Sequence, residues 1–261
     1  MPWILRALRD GIVTTRYPKH RDDYADQGVR SVARPLPDTQ WDNGFDALCP
    51  TSAIDRGDGQ VRLDQGRCIG CGACVRARPD VFDWETGSET MRLGRESLIV
   101  PSLAETDTGL RELRARLADR TRALRRSVHI RHVDAGSDGA DEWEVQALLN
   151  PIYDVHRLGI FFTASPRHAD ILLVTGAGAA GMALPLARTL NAMPRPVVVI
   201  AAGTDAISGG LTSPSYATNG GVGQLLPVDV WVPGSPPTPF ALLHAILRGT
   251  GRLRDPGEVN R

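Results

Sequence analysis

The chain has 261 residues, with 30 Lys or Arg against 30 Asp or Glu, so its formal net charge is zero. That length has room for two ordinary domains, the apolar share is that of a soluble globular protein, and the balanced charge offers no basic face to a nucleic acid. The longest apolar runs, Val197 to Ala202 and Ile171 to Val174, are far too short to cross a bilayer, so any membrane link is expected to be peripheral.

Met1 to Asp10 places Trp3, Ile4, Ala7 and Leu8 on one helical face, with Arg6, Arg9 and Asp10 elsewhere. This predicts a short amphipathic helix that either packs on its neighbours or lies at an interface. The same charges break any hydrophobic stretch of signal-peptide length, which suits a cytoplasmic protein. Gly11 to Pro18 is expected to be extended, and Pro18 to Asp38, polar and punctuated by Pro35 and Pro37, to be an irregular arm.

The next stretch, 39 to 100, holds all four cysteines: Cys49 before Pro50, then Cys68, Cys71 and Cys74. Three thiolates two residues apart can wrap one corner of an iron-sulfur cubane, with Gly70 and Gly72 letting the backbone approach, and Cys49 supplies a fourth ligand. In two-cluster bacterial ferredoxins such a run ends in a further cysteine, before proline, that serves the other cluster. Here that place is Arg78, before Pro79. Counting back from Cys49, the three remaining places are Thr39, Asp42 and Phe45. All four losses belong to one cubane and all four retained cysteines to the other, so the spacing predicts one 4Fe-4S cluster on a fold with room for two. A structural zinc, which takes paired Cys-x2-Cys knuckles, and disulfides, which suit an oxidising compartment, fit the spacing less well.

Ala53-Ile54 and Val61 to Leu63 read as short strands around the turn Gly57-Asp58-Gly59, and Val81 to Trp84 as another. A core this small is expected to depend on its cluster. From Asp107 to Arg126, Leu110, Leu113, Leu117 and Leu124 stand among charges, which predicts a solvent-facing connecting helix. Strands and helices then alternate, the signature of an open parallel sheet. The predicted strands are Val128 to Val133, Ile160 to Phe162, Ile171 to Thr175, Val197 to Ala202 and Pro227 to Val232; the predicted helices are Trp143 to Leu149, Met182 to Met193 and Phe240 to Arg248.

Gly11 to Pro18 together with the cysteine runs resembles the ferredoxin-type iron-sulfur subunit of complex I and of group 4 membrane-bound nickel-iron hydrogenases, of the formate hydrogenlyase kind. The part from Val128 onward resembles their small subunit, similar to the complex I subunit that holds the quinone-proximal cluster. The matching stretches are His132 to Ser137, Leu148 to Pro151, Ala164 to Gly176 and Pro227 to Gly234. The resemblance implies an α+β ferredoxin-like cluster domain over 1–100, a connecting helix over 101–127, and an α/β flavodoxin-like domain with a parallel sheet over 128–261. It also implies a departure: where the family's small subunit has four cluster-binding cysteines, this chain has Asp138, Asp141, Asp205 and Ser235. Three carboxylates and a hydroxyl are poor partners for a cubane. They are expected to share a pocket at one end of the sheet, held by arginine, backbone amides, water or a hard cation, with Arg167 among the possible counter-charges.

Gly176 to Gly181 follows a predicted strand and precedes a helix, formally a dinucleotide fingerprint, but the glycines are better read as a tight turn with close helix packing. His168 beside Asp170 reads as a structural histidine in preference to a proton carrier. The resulting expectation is an electron-transfer subunit with one 4Fe-4S cluster on Cys49, Cys68, Cys71 and Cys74, in a complex I-like or hydrogenase-like oxidoreductase. Its partners would be a large subunit and membrane subunits, on the inner face of the cell membrane. The alternative is a structural or regulatory docking subunit whose small-subunit part holds no cluster.

Overall fold

The structure is a computed structural model and describes residues 3–20, 30–101, 127–213 and 215–253. The connecting helix expected from Asp107 to Arg126 lies outside the described residues. Helix α1 (Trp3–Asp10) forms as predicted and presents Trp3, Ile4, Leu5 and Leu8 to solvent. The extended segment after it is tied down only at its end. Thr15 N-H donates to Ile152 O, Tyr17 is buried, and its hydroxyl lies 2.7 Å from His244 Nδ1.

Residues Arg30–Pro35 form strand β1, which corrects the irregular arm expected there. Val32 and Ala33 are fully buried, and β1 pairs antiparallel with β4 (Phe82–Thr86). Polar composition concealed a strand whose inward residues earn their conformation from that partner. The hairpin β2 (Ile54–Gly57) and β3 (Gln60–Asp64) turns at Asp58-Gly59, and β5 (Ile99–Val100) adds a short third strand on β3. Helix α2 (Ala73–Ala77) follows the cysteine loop. Val32, Phe45, Ile54, Val61, Leu63, Val81 and Phe82 pack with Cys68 and Cys74 into one small core.

The remainder is a five-stranded, all-parallel sheet of β6 (Val128–Asp134), β7 (Ile160–Phe162), β8 (Ile171–Thr175), β9 (Val198–Ala202) and β10 (Val230–Val232). Its spatial order is β10-β9-β8-β6-β7. The chain runs from β6 out to the edge at β7, then returns past β6 to β8, so the winding reverses between β6 and β8. Strands β8 and β9 are buried at every position, as a sheet covered on both faces requires. Helices α3 (Ala140–Ala147) and α6 (Pro239–Gly249) pack in the apolar layer of one face; α4 (Ala183–Ala192) and α5 (Thr204–Ser208) pack in that of the other. Helix α3 starts before the predicted Trp143 because Gly139, at φ 92°, turns the chain into it. Thr238 caps α6 by accepting from Ala241 N-H, and Pro239 occupies the first turn, where a missing N-H costs nothing.

Backbone and side-chain hydrogen bonds join the cysteine-bearing part to the sheet, and Met91 and Leu98 pack into the sheet's two apolar layers. Arg92 and Trp231 exchange backbone hydrogen bonds of 2.8 Å in both directions, and the Thr204 hydroxyl donates to Cys68 O at 2.8 Å.

Candidate metal centre

The cysteine loop runs from a 3-10 turn at Gln65–Arg67 into α2, and it bends at Gly70 and Gly72, with φ of 65° and 68°. Both values lie in the left-handed region, where a side chain is disfavoured. Gly72 has a second reason to be glycine, since a Cβ there would meet Trp84 Cζ2 at 2.8 Å. Cys49 enters from the far side on its own 3-10 turn, Asp46–Leu48. Backbone N-H groups already point at the sulfurs. Ala33 N-H donates to Cys68 Sγ at 3.4 Å and Ala53 N-H to Cys49 Sγ at 3.3 Å, while Gly70 and Val75 amides serve Cys68 and Cys74.

Burial pushes the Cys68 and Cys74 thiols up, the latter to about 11, and the other cysteines reinforce both shifts by like charge. The four sulfurs are therefore electrostatic neighbours although Cys49 is remote in sequence. A group of thiols this disfavoured as anions needs a positive centre in its midst to ionise. Soft sulfur donors, amides aimed at them and an apolar surround fit an iron-sulfur cluster.

Three of the four places that would serve a second cubane also meet. Phe45 is buried and lies edge-on to Trp41 and Phe82, with ring centroids 5.7 and 5.8 Å away. The Arg78 guanidinium sits 4.9 Å from the Phe45 centroid, pairs with Asp42 at 3.5 Å and forms a fork with Asp80. Thr39 stands apart from this group, its hydroxyl donating to Leu36 O at 2.8 Å. An edge-on aromatic cluster and an ion pair meet here.

The sheet brings Asp138, Asp141 and Asp205 together at the carboxyl ends of β6 and β9. Asp141 is only 6% exposed. Its carboxyl is raised to about 8 by burial and then by Asp205, Glu142, Asp138 and Asp134, and Asp205 is raised for the same reasons. The charges that act most on Asp141 among the described residues are negative, and Arg167 is exposed on a turn. Asp138 does find a backbone amide, Ala140 N-H at 2.9 Å. Two glycines leave room for the acids: a Cβ on Gly203 would meet Asp141 Oδ2 at 2.2 Å, and one on Gly210 would meet Asp205 Oδ1 at 2.0 Å. Ser235 is exposed on the loop after β10, whose Gly234 O accepts from Thr204 N-H at the start of the helix carrying Asp205.

Sequence reasoning passed over Glu142. It accepts from Ser137 Oγ at 2.6 Å and from Thr175 Oγ1, and Thr175 Oγ1 lies 3.0 Å from His132 Nε2. Burial lowers the His132 pKa, so it adds no positive charge to this group at neutral pH. The signal was a third acid adjoining Asp141 near the amino end of a predicted helix, close to the reversal of the sheet. His132 also lines a cavity of about 350 Å³ with Arg131, Gln146 and Phe162. Gly176 serves packing, as predicted: a Cβ there would meet the backbone of Gly136 and Ser137 at 2.7–2.8 Å. Asp170 accepts from His129 N-H, and His168 is exposed.

Residues 139–248 match the family model of the NADH ubiquinone oxidoreductase 20 kDa subunit, and residues 61–109 match that of a 4Fe-4S single cluster domain. The probable membrane-bound hydrogenase subunit mbhJ of Pyrococcus furiosus is 37% identical over 143 residues, covering 55% of this chain and 86% of that protein. The chain belongs to the family of the 20 kDa subunit of NADH ubiquinone oxidoreductase. Formate hydrogenlyase subunit 7 of Escherichia coli K12, another relative of this family member, is 36% identical over 172 residues. That match spans 64% of this chain and 66% of the relative, just under two thirds of its length. The membrane-bound sulfane sulfur reductase, an archaeal respiratory membrane complex, aligns with 29% identity over 51% of this chain and 71% of its own, at a TM-score of 0.42. The single cluster model includes Cys68, Cys71 and Cys74 and begins after Cys49.

Proposed function

We propose that the chain is an electron-transfer subunit of a complex I-like or hydrogenase-like membrane complex, carrying one 4Fe-4S cluster on Cys49, Cys68, Cys71 and Cys74. The observation that carries this reading is the cysteine quartet, with Cys68 and Cys74 buried and backbone amides on Cys49 and Cys68, beside an Arg78–Phe45–Asp42 contact at three of the places where further cysteines would stand. A bound 4Fe-4S cluster supplies one-electron chemistry. The chain's own residues hold it by four sulfurs, soften the sulfur charge with the Ala33 and Ala53 amides, and screen it with Ile54, Val61 and Phe82. Cys71, the exposed member, marks the edge nearest solvent, where electrons exchange most readily with a partner.

On this reading residues 1–100 form a ferredoxin-like domain, 101–127 a connection and 128–261 a flavodoxin-like domain; the strand order β7-β6-β8-β9-β10 supports the last assignment. The partners are a large subunit and membrane subunits, and the chain sits peripherally on the inner face of the membrane. A second reading, a docking subunit, draws support from the carboxylates: if Asp138, Asp141 and Asp205 correspond to the family's terminal cluster ligands, as the resemblance implies, their hard oxygens are unsuited to iron-sulfur binding. The two readings combine if the amino-terminal part transfers electrons and the sheet docks partners.

The test is iron and acid-labile sulfide on the full chain after anaerobic reconstitution. About four of each per chain are expected for a single cubane. Values near eight would overturn the single-cluster reading, and zinc without sulfide would overturn the cluster itself.

A further inference from the structure

A cavity of about 520 Å³ opens where the cysteine loop meets the sheet, lined by Arg67, Arg95, Ser208, Ser213, Asn219 and Gln224, with no acidic residue in its wall. Its two guanidiniums share one carboxylate. Arg95 grips Asp64 with a two-pronged fork, at 2.9 and 2.6 Å, and Arg67 Nε approaches the same group at 3.7 Å. One anion between two cations leaves a net charge of +1, and the fork holds Arg95 in place before any ligand arrives. The terminal nitrogens of Arg67 make no hydrogen bond among the described residues and remain free to donate. Of the uncharged polar groups in the wall, Ser208 Oγ already donates to Thr204 O and Asn219 Nδ2 to Gly178 O, which leaves the Ser213 hydroxyl, the second Asn219 amide N-H and the Gln224 amide to donate to an oxyanion.

The cavity adjoins the cysteine loop. Arg67 is the residue before Cys68, and Ile207 and Ser208 belong to α5, whose Thr204 hydroxyl holds Cys68 O. Gly66 keeps the two sides close, since a Cβ on it would meet Ile207 Cγ2 at 2.6 Å.

We propose that this cavity binds an oxyanion of the phosphate class, free or as a phosphomonoester, and that its occupancy is linked to the redox state of the neighbouring cluster. The linkage rests on the cluster reading above; the binding site does not. An anion beside Cys68 opposes the arrival of an electron, so it should lower the midpoint potential. Linkage is reciprocal, so the oxidised protein must bind the anion more tightly by the same factor. For a solvent-open site we expect about a fivefold difference in affinity, which corresponds to about 40 mV for a one-electron couple.

The experiment is calorimetric titration of inorganic phosphate, and separately of adenosine monophosphate, into the full-length reconstituted protein at constant ionic strength, oxidised and then dithionite-reduced. One site per chain is expected. Arg67→Gln should weaken it about tenfold or more, because it removes a charge-assisted donor. Arg67 is half exposed, so the variant should keep its fold, checked by circular dichroism; Arg67→Lys, which keeps the charge, should lose less. Tighter binding of the nucleotide would identify the ligand as a phosphomonoester, and equal binding would identify the free anion. No saturable binding by wild type, or binding that Arg67→Gln leaves untouched, would overturn the site. Equal affinity in both redox states, with an unmoved midpoint, would overturn the linkage. Phosphate binding that needs Arg67 in a protein found to hold no iron would retain the site while removing the cluster reading.

Discussion

Burial and like charge act together on Asp141, and their effect can be read from pH. The folded protein holds a proton on this carboxyl up to about pH 8, whereas its ordinary value is 3.8. Between those values the folded state binds more protons than the unfolded one, so stability is full below about pH 4 and falls as the pH rises, by at most about 1.4 kcal/mol per pH unit. Asp141→Asn removes the titrating group. In urea melts the variant should gain on wild type steadily as the buffer goes from about pH 5 to about pH 8; a constant gap would mean that Asp141 is ionised throughout. Phe45 invites a second measurement. Truncation to alanine should cost about 3–5 kcal/mol, because a buried ring vanishes and Arg78 loses its aromatic support. Arg78→Cys, by contrast, should leave iron near about four per chain, since one new sulfur beside Phe45 and Asp42 cannot assemble four ligands.

At the scale of elements, α1 stands out because its large apolar residues face solvent: Trp3 is 79% and Leu8 77% exposed. A helix this short is marginal without packing. Removal of residues 3–10 should therefore leave the melting temperature of the remaining chain within about 2 °C of wild type. Recovery of the chain with membranes should drop, because the stripe is then missing from whatever surface it meets in the assembly. An equally strong membrane fraction would assign the docking to other elements. Strand β1 behaves in the opposite way. Its buried Val32 and Ala33 are satisfied within the chain, and its Ala33 amide reaches Cys68, so it belongs to the cysteine core despite its polar flanks.

At the scale of the whole molecule, no helix among the described residues is long and apolar enough to cross a membrane. With the proposed peripheral placement, alkaline or high-salt washing should release the chain once its partners dissociate, and retention of the isolated chain by lipid vesicles would contradict it. The sequence by itself determined what depends on near neighbours: the cysteine run, whose two-residue spacing and glycines set the loop, and the buried strands β8 and β9, which read as continuous apolar runs. It also carries the expectation of a single cubane, because Thr39, Asp42, Phe45 and Arg78 stand where a second would need cysteines. Only the tertiary structure decided that Arg78 lies over the Phe45 ring, that Arg30–Pro35 becomes a strand, and that Asp141 is buried among other carboxylates. Asp138 comes from the loop after β6 and Asp205 from α5 after β9, and the charge each one feels is set by sheet order and helix placement, which fold distant segments onto one end of the sheet. The cavity between Arg67 and Ser208 arises in the same way, from two parts of the chain meeting across Cys68.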